Sequence, residues 1–138
     1  MNPYRLSFTI PISQTLNSNQ RLHHFVRASR TSELRLRGDQ AWRRLGLKPL
    51  ECAHATAWFT WPDAKLRDDA NWYPTVKALI DGAVSGHAGI KAKYVGILPD
   101  DDAKHLPALT FARHGIDRRL AKPSPQVRIE LVFEEVAA

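Results

Sequence analysis

Three runs in which apolar residues return at every second position constrain this chain more than any other feature. Tyr4, Leu6, Phe8 and Ile10 are interleaved with Arg5, Ser7 and Thr9. Ala53, Ala55, Ala57, Phe59 and Trp61 are interleaved with His54, Thr56, Trp58 and Thr60. Val127, Ile129, Leu131 and Phe133 form the third run. A period of two is the signature of a half-buried strand, and Pro11 and Pro62 close the first two runs, as a residue without an amide hydrogen should. Leu109 and Phe111 mark a shorter fourth strand.

Between the strands the period lengthens. Thr31 or Ser32 can cap a helix running to about Leu45, with Leu34, Ala41, Trp42 and Leu45 inward, several arginines outward and Gly46 closing it. A second helix is predicted from Trp72, Val76, Leu79, Ile80 and Ala83 on one face, with Asn71 as N-cap and Pro74 in the first turn. The polar segment Ser13 to Arg30 reads as a loop leading into the first helix, Ser85 to Gly96 as a glycine-containing loop, and Gly115 to Pro125 as a basic connection. The order strand, helix, strand, helix, strand, strand predicts an α/β (α+β) fold: a mixed sheet of about four strands with helices packed on it. With 138 residues, of which 43% are hydrophobic, the chain suits one domain, residues 1–138, and is too short for two.

Composition narrows the function classes. Lys and Arg number 20 against 14 Asp and Glu, and Arg21, Arg27, Arg30, Arg35, Arg37, Arg43 and Arg44 crowd one region while aspartates crowd the middle. A basic surface around an acidic pocket suits a polyanionic substrate whose cleavage needs cations, although charge alone also serves solubility. Cys52 is the only cysteine, so no intrachain disulfide and no thiolate zinc cluster can form. With no apolar run of membrane-spanning length, the expectation is a reducing intracellular, cytoplasmic and nucleoid-associated setting. His23, His24, His54, His87, His105 and His114 lack the short spacings of a zinc site, and no Gly-x-Ser-x-Gly elbow supports a serine nucleophile. Trp58 and Trp61 on the second strand read as core or sheet-face residues rather than base-stacking platforms.

The chemistry concentrates in Arg67 to Gly82 and in Leu98 to Ala103. Asp68 and Asp69 precede the second helix, where aligned peptide dipoles favour anions. Lys77 and Asp81 lie four residues apart within it, and Asp100, Asp101 and Asp102 follow. Each feature alone is an ordinary cap, turn or surface pair. Together, the five carboxylates that flank this short helix, Asp68, Asp69 and Asp100 to Asp102, repel one another unless a cation offsets them, which points to a magnesium and phosphate site. The ligands sit where the second strand ends and the third begins, so they are expected to converge at one end of the sheet.

These residues resemble a known family. The run Arg67-Asp68-x-x-Asn71, Pro74-Thr75-x-Lys77-x-x-x-Asp81-Gly82 and Leu98-Pro99-Asp100-Asp101-Asp102 resembles the RusA-type Holliday junction resolvases, in the variant with Pro-Thr ahead of the lysine. Asn17-x-Asn19-x-Arg21-x-His23 resembles that family's early polar motif. The resemblance implies a homodimeric, Mg²⁺-dependent endonuclease (Mn²⁺ being an alternative ion) that resolves four-way DNA junctions by paired nicks in recombination and repair. Carried over by position, Asp68 and Asp102 are catalytic aspartates and Lys77 is the catalytic lysine. Asp68, Asp69, Asp101 and Asp102 are the candidate metal ligands. Asn17, Asn19, Arg21, His23, Arg27, Arg30, Asn71, Arg118 and Arg119 are candidates for contact with DNA. One departure stands out. Ala70 occupies a position where the family carries a carboxylate, so Asp69, Asp100 or Asp101 must substitute if the site is active. A binding protein with a decayed active site and a flap or branched-DNA nuclease are the competing readings.

Overall fold

The computed structural model describes residues 2–87 and 94–137. The elements are β1 (Tyr4–Pro11), α1 (His24–Leu45), β2 (Ala53–Trp61), α2 (Tyr73–Ser85), β3 (Ala108–Ile116) and β4 (Gln126–Glu135), with a 3₁₀ turn at Asp69–Trp72 and another at Arg118–Ala121. The four-stranded sheet runs β1-β4-β2-β3. The pairs β1/β4 and β4/β2 are antiparallel, and β2/β3 is parallel. A parallel pair needs a crossover, and α2 supplies it. The predicted mixed α+β sheet with two helices is the architecture observed.

Alternation decides which face is covered. Leu6, Phe8 and Ile10 of β1, Ala55, Ala57, Phe59 and Trp61 of β2, and Val127, Ile129, Leu131 and Phe133 of β4 are all buried, and they meet Leu34 and Trp42 of α1 and Val76, Leu79, Ile80 and Ala83 of α2 in one core. The helices cross closely. A Cβ on Gly38 would stand 2.0 Å from the Leu79 carbonyl oxygen, and one on Gly82 would stand 1.9 Å from that of Arg35. Only residues without a side chain allow the two backbones to meet there.

Four expectations need correction. Helix α1 begins at His24, well before Thr31, because His23 caps it by accepting from the Phe25 amide through Nδ1 at 3.2 Å. Thr31 instead donates to the Arg27 carbonyl one turn back. Asn71 does not cap α2: it lies inside the 3₁₀ turn, whose cap is Asp68, and α2 starts at Tyr73 with Pro74 in its first turn. Strand β3 is longer than Leu109 and Phe111 suggest, since parallel pairing with β2 carries it to Ile116. The end of β2 and the start of β3 do not meet at one end of the sheet. In the parallel register His54 pairs with Ala108 and Trp61 with Ile116, so those two points lie roughly 23 Å apart. Part of the Ser85 to Gly96 segment falls outside the described residues.

Candidate functional site

Trp61 organises the end of β2. Its buried indole donates from Nε1 to Asp69 Oδ1 at 2.8 Å, Trp72 meets it edge-on with ring centroids 4.9 Å apart, and the Arg67 guanidinium lies 4.3 Å above the ring. Arg67 is itself held by Asp63 at 2.8 Å. Asp69 also accepts from Arg113 of β3, Nε to Oδ2 at 2.9 Å and Nη2 to Oδ1 at 2.7 Å. Both of its oxygens are therefore committed to protein donors. Asp68 differs: Oδ1 caps the Ala70 amide at 3.2 Å, and Oδ2 makes no hydrogen bond among the described residues.

One turn into α2, Lys77 stands between two carboxylates. Its ammonium donates to Asp81 Oδ1 at 2.6 Å and to Asp101 Oδ2, which the loop after Leu98 folds back along the helix. This loop, not the strand ends, brings the second aspartate motif to the first helix turns. Burial, with Asp101 close by, pushes the Asp81 carboxyl above its ordinary value despite Lys77. Burial also works to raise Asp101, but the hydrogen bond and charge of Lys77 outweigh it and hold that carboxyl low. Burial likewise disfavours the Lys77 ammonium, and its two carboxylate partners more than compensate, so its pKa is raised. The cluster is a cation held between two partly desolvated anions.

Asp102 turns elsewhere. Its Oδ1 accepts from the Lys104 and His105 amides and from His105 Nδ1 at 2.7 Å, and the His105 bond is the chief reason its carboxyl lies low. Its Oδ2 makes no hydrogen bond among the described residues. The four aspartates expected to hold metal do not gather around one point: among the described residues no three His, Cys, Asp or Glu side chains stand together as a metal-holding group. What exists is the Asp81 and Asp101 pair. Magnesium commonly takes one or two carboxylates and completes its shell with water and phosphate oxygens, so this pair fits the ion, whereas Asp69, with both oxygens committed, does not.

The candidate DNA-contacting residues fall into two groups. The 17–23 segment is docked against the start of α2. Thr75 Oγ1, fully buried, donates to the Leu16 carbonyl at 2.6 Å and accepts from the Leu16 amide at 2.7 Å, while Ser18 N donates to the Asn71 carbonyl at 2.7 Å. Asn17 spends its side chain on the Asn19 amide, Arg27 donates to the Gln20 carbonyl and Arg30 to that of Thr15, while Asn19 and Arg21 are exposed. Arg118 and Arg119 follow β3 at the opposite side of the same sheet end, where Asp117 N donates to the Trp61 carbonyl and Arg119 pairs with Asp117. Spacing signals Asp81 and His105, each within four residues of its partner. No local signal exists for Arg113, which reaches Asp69 across 44 residues of chain.

No family model and no curated protein matches this chain. Among the described residues no helix is long and apolar enough to cross a membrane.

Proposed function

We propose that this chain is a magnesium-dependent, structure-selective endonuclease that nicks branched DNA, four-way junctions above all, as its resemblance to the RusA-type resolvases implies. The observation that carries the reading is the Lys77, Asp81 and Asp101 cluster: carboxylates from two separate segments held around one cation, in a chain of net charge +6. Asp81 and Asp101 would hold the ion, with water and phosphate oxygens completing its shell. A magnesium ion held there would supply an activated water at neutral pH and offset the charge of the reacting phosphate. Lys77 would turn its ammonium from the carboxylates to a phosphate oxygen, stabilising charge that develops in the transition state. The 17–30 segment and Arg118 grip backbone phosphates without reading sequence.

A second reading has an observation of its own. Asp69 is saturated by Trp61 and Arg113, residue 70 is alanine, Lys77 already pairs with both Asp81 and Asp101, and Asp102 is hydrogen-bonded to His105. That is the charge balance of a protein that binds junctions without cutting them. A nicking assay on a synthetic four-way junction and a matched linear duplex, with Mg²⁺ or EDTA, separates the two. Paired Mg²⁺-dependent nicks, lost in Asp101→Asn, support the nuclease. Tight, salt-sensitive binding with no cleavage supports the binder, and cleavage of flaps in preference to junctions points to the broader branched-DNA nuclease.

A further inference from the structure

Three rings stand together outside the core at the start of α1, and we infer that they form a stacking platform for an unpaired base of branched DNA. Ring centroids of His23 and His24 lie 4.4 Å apart, those of His24 and Phe25 4.1 Å, and those of His23 and Phe25 5.2 Å. Successive residues of a helix point about 100° apart, so neighbours in sequence do not ordinarily stack. They do so here because the chain has not yet entered the helix at His23, at φ −56° and ψ 142°, and its Nδ1 accepts from the Phe25 amide at 3.2 Å. All three residues are exposed, Phe25 at 71%, and Val26 beside it is exposed as well. One exposed phenylalanine would need no account, but rings gathered at a single point of the surface do.

Charge identifies the occupant. No Asp or Glu occurs in residues 1–32, while Arg21, Arg27 and Arg30 flank the rings in the chain. A concavity of about 550 Å³ runs on from His24 past Arg27, Arg35 and His87, and no carboxylate lines it. Aromatic faces set among cations complement a ligand that carries both a π face and negative charge. A nucleotide whose base has left the stack is such a ligand. Paired bases keep their faces covered by their neighbours, so the platform serves unpaired ones.

The platform is fixed relative to α2. Arg27 donates to the Gln20 carbonyl and Arg30 to that of Thr15, which ties the first turns of α1 to the segment before it. That segment is held in turn at the start of α2, by the Leu16 and Thr75 bonds and by Ser18 on Asn71. His23 follows Ser18 by five residues, so at most about 17 Å of chain separate the rings from the turn that opens the helix carrying Lys77 and Asp81. Such a reach is roughly five nucleotides of one strand at about 3.4 Å each. The inference rests on the proposed action on branched DNA and names the branch preferred, one with an unpaired base a few nucleotides from the strand held at the start of α2.

Fluorescence anisotropy in EDTA at one fixed ionic strength tests it, on two labelled DNA hairpins alike except for a single unpaired adenine in one stem. The parent should bind the bulged hairpin about tenfold more tightly than the paired one. Phe25→Leu keeps an apolar side chain without the π face and should abolish that preference, whereas Phe25→Trp should keep it. Affinity for the paired hairpin should change by less than about twofold in both variants, because the arginines remain. Thermal midpoints near that of the parent are expected, since the ring is exposed. Equal affinity of the parent for the two hairpins, or a preference that survives Phe25→Leu, overturns the inference. So does Phe25-dependent binding to vesicles of phosphatidylcholine and phosphatidylserine without the DNA preference, which would make the rings a membrane contact. A preference for the bulge in a chain that never nicks four-way junctions supports the platform while sinking the nuclease reading, and Mg²⁺-dependent nicking without the preference does the reverse.

Discussion

Arg113 holds Asp69 fork to fork, Nε on Oδ2 at 2.9 Å and Nη2 on Oδ1 at 2.7 Å, and so joins the edge strand β3 to the turn that opens α2. Geometry of this kind is among the stronger side-chain interactions a protein makes. The Asp69 side chain is only 10% exposed, so the pair acts as a brace. Asp69→Asn is expected to lower stability by about 1–3 kcal/mol in urea unfolding while leaving Mg²⁺-dependent nicking in place. Loss of nicking at unchanged stability would instead make Asp69 a metal ligand.

Lys77→Met removes the cation from between Asp81 and Asp101. Nicking should fall by about a hundredfold to a thousandfold in single-turnover assays, as for other preorganised charge-stabilising groups. The Asp81 carboxyl, already raised by burial, should titrate higher still in carboxyl-detected NMR, since its first neutralising partner has gone.

Thr75→Val keeps the shape of a fully buried side chain and deletes the hydroxyl that serves both the amide and the carbonyl of Leu16. About 1–3 kcal/mol of stability should be lost. Amide hydrogen exchange should quicken over residues 15–20, because that hydroxyl ties the polar segment to α2. Unaltered exchange would show the segment is held by other contacts.

Gly82→Ala drives a Cβ to 1.9 Å from the Arg35 carbonyl oxygen, a backbone atom that cannot step aside. The helices must separate, at a cost of about 2 kcal/mol or more. A lowered thermal midpoint together with weakened nicking is expected, since α2 carries Lys77 and Asp81.

Acid sensitivity follows from Asp117, whose hydrogen bonds from Arg119, helped by the nearby Arg128, hold its carboxyl down at about 2 against an ordinary 3.8. A depressed carboxyl stabilises the fold above its unfolded value, and the contribution is lost as pH falls through the folded value, so the window runs from about pH 4 down to about pH 2. Asp63 and Asp102 act in the same direction. Asp81 acts in the opposite one, its contribution fading as pH rises through its raised value. Urea midpoints measured across this range should fall with pH, and Arg119→Ala should flatten the fall.

The strands and the inward face of α2 were legible because burial on one side of a sheet or helix imposes a period that one chain displays by itself. Val76, Leu79, Ile80 and Ala83 are buried as that period requires. The Lys77 and Asp81 pair was legible for the same reason, being four apart on one helix. The early start of α1 was hidden. His23, Arg27 and Arg30 are polar, and they are ordered by bonds to Phe25, Gln20 and Thr15 that only the folded chain supplies.

The sequence by itself determined the period, order and inward faces of the elements, and which residues carry charge, since these depend on neighbours along the chain. The tertiary structure alone decided which carboxylates are free to work. Asp69 is taken by Arg113 across 44 residues, Asp101 is delivered to Lys77 by a loop folding back along α2, and Asp102 is turned to His105. The reason is that a carboxylate's chemistry is set by whatever cation or donor lies within about 4 Å of it, and such proximity belongs to the fold rather than to spacing in the sequence.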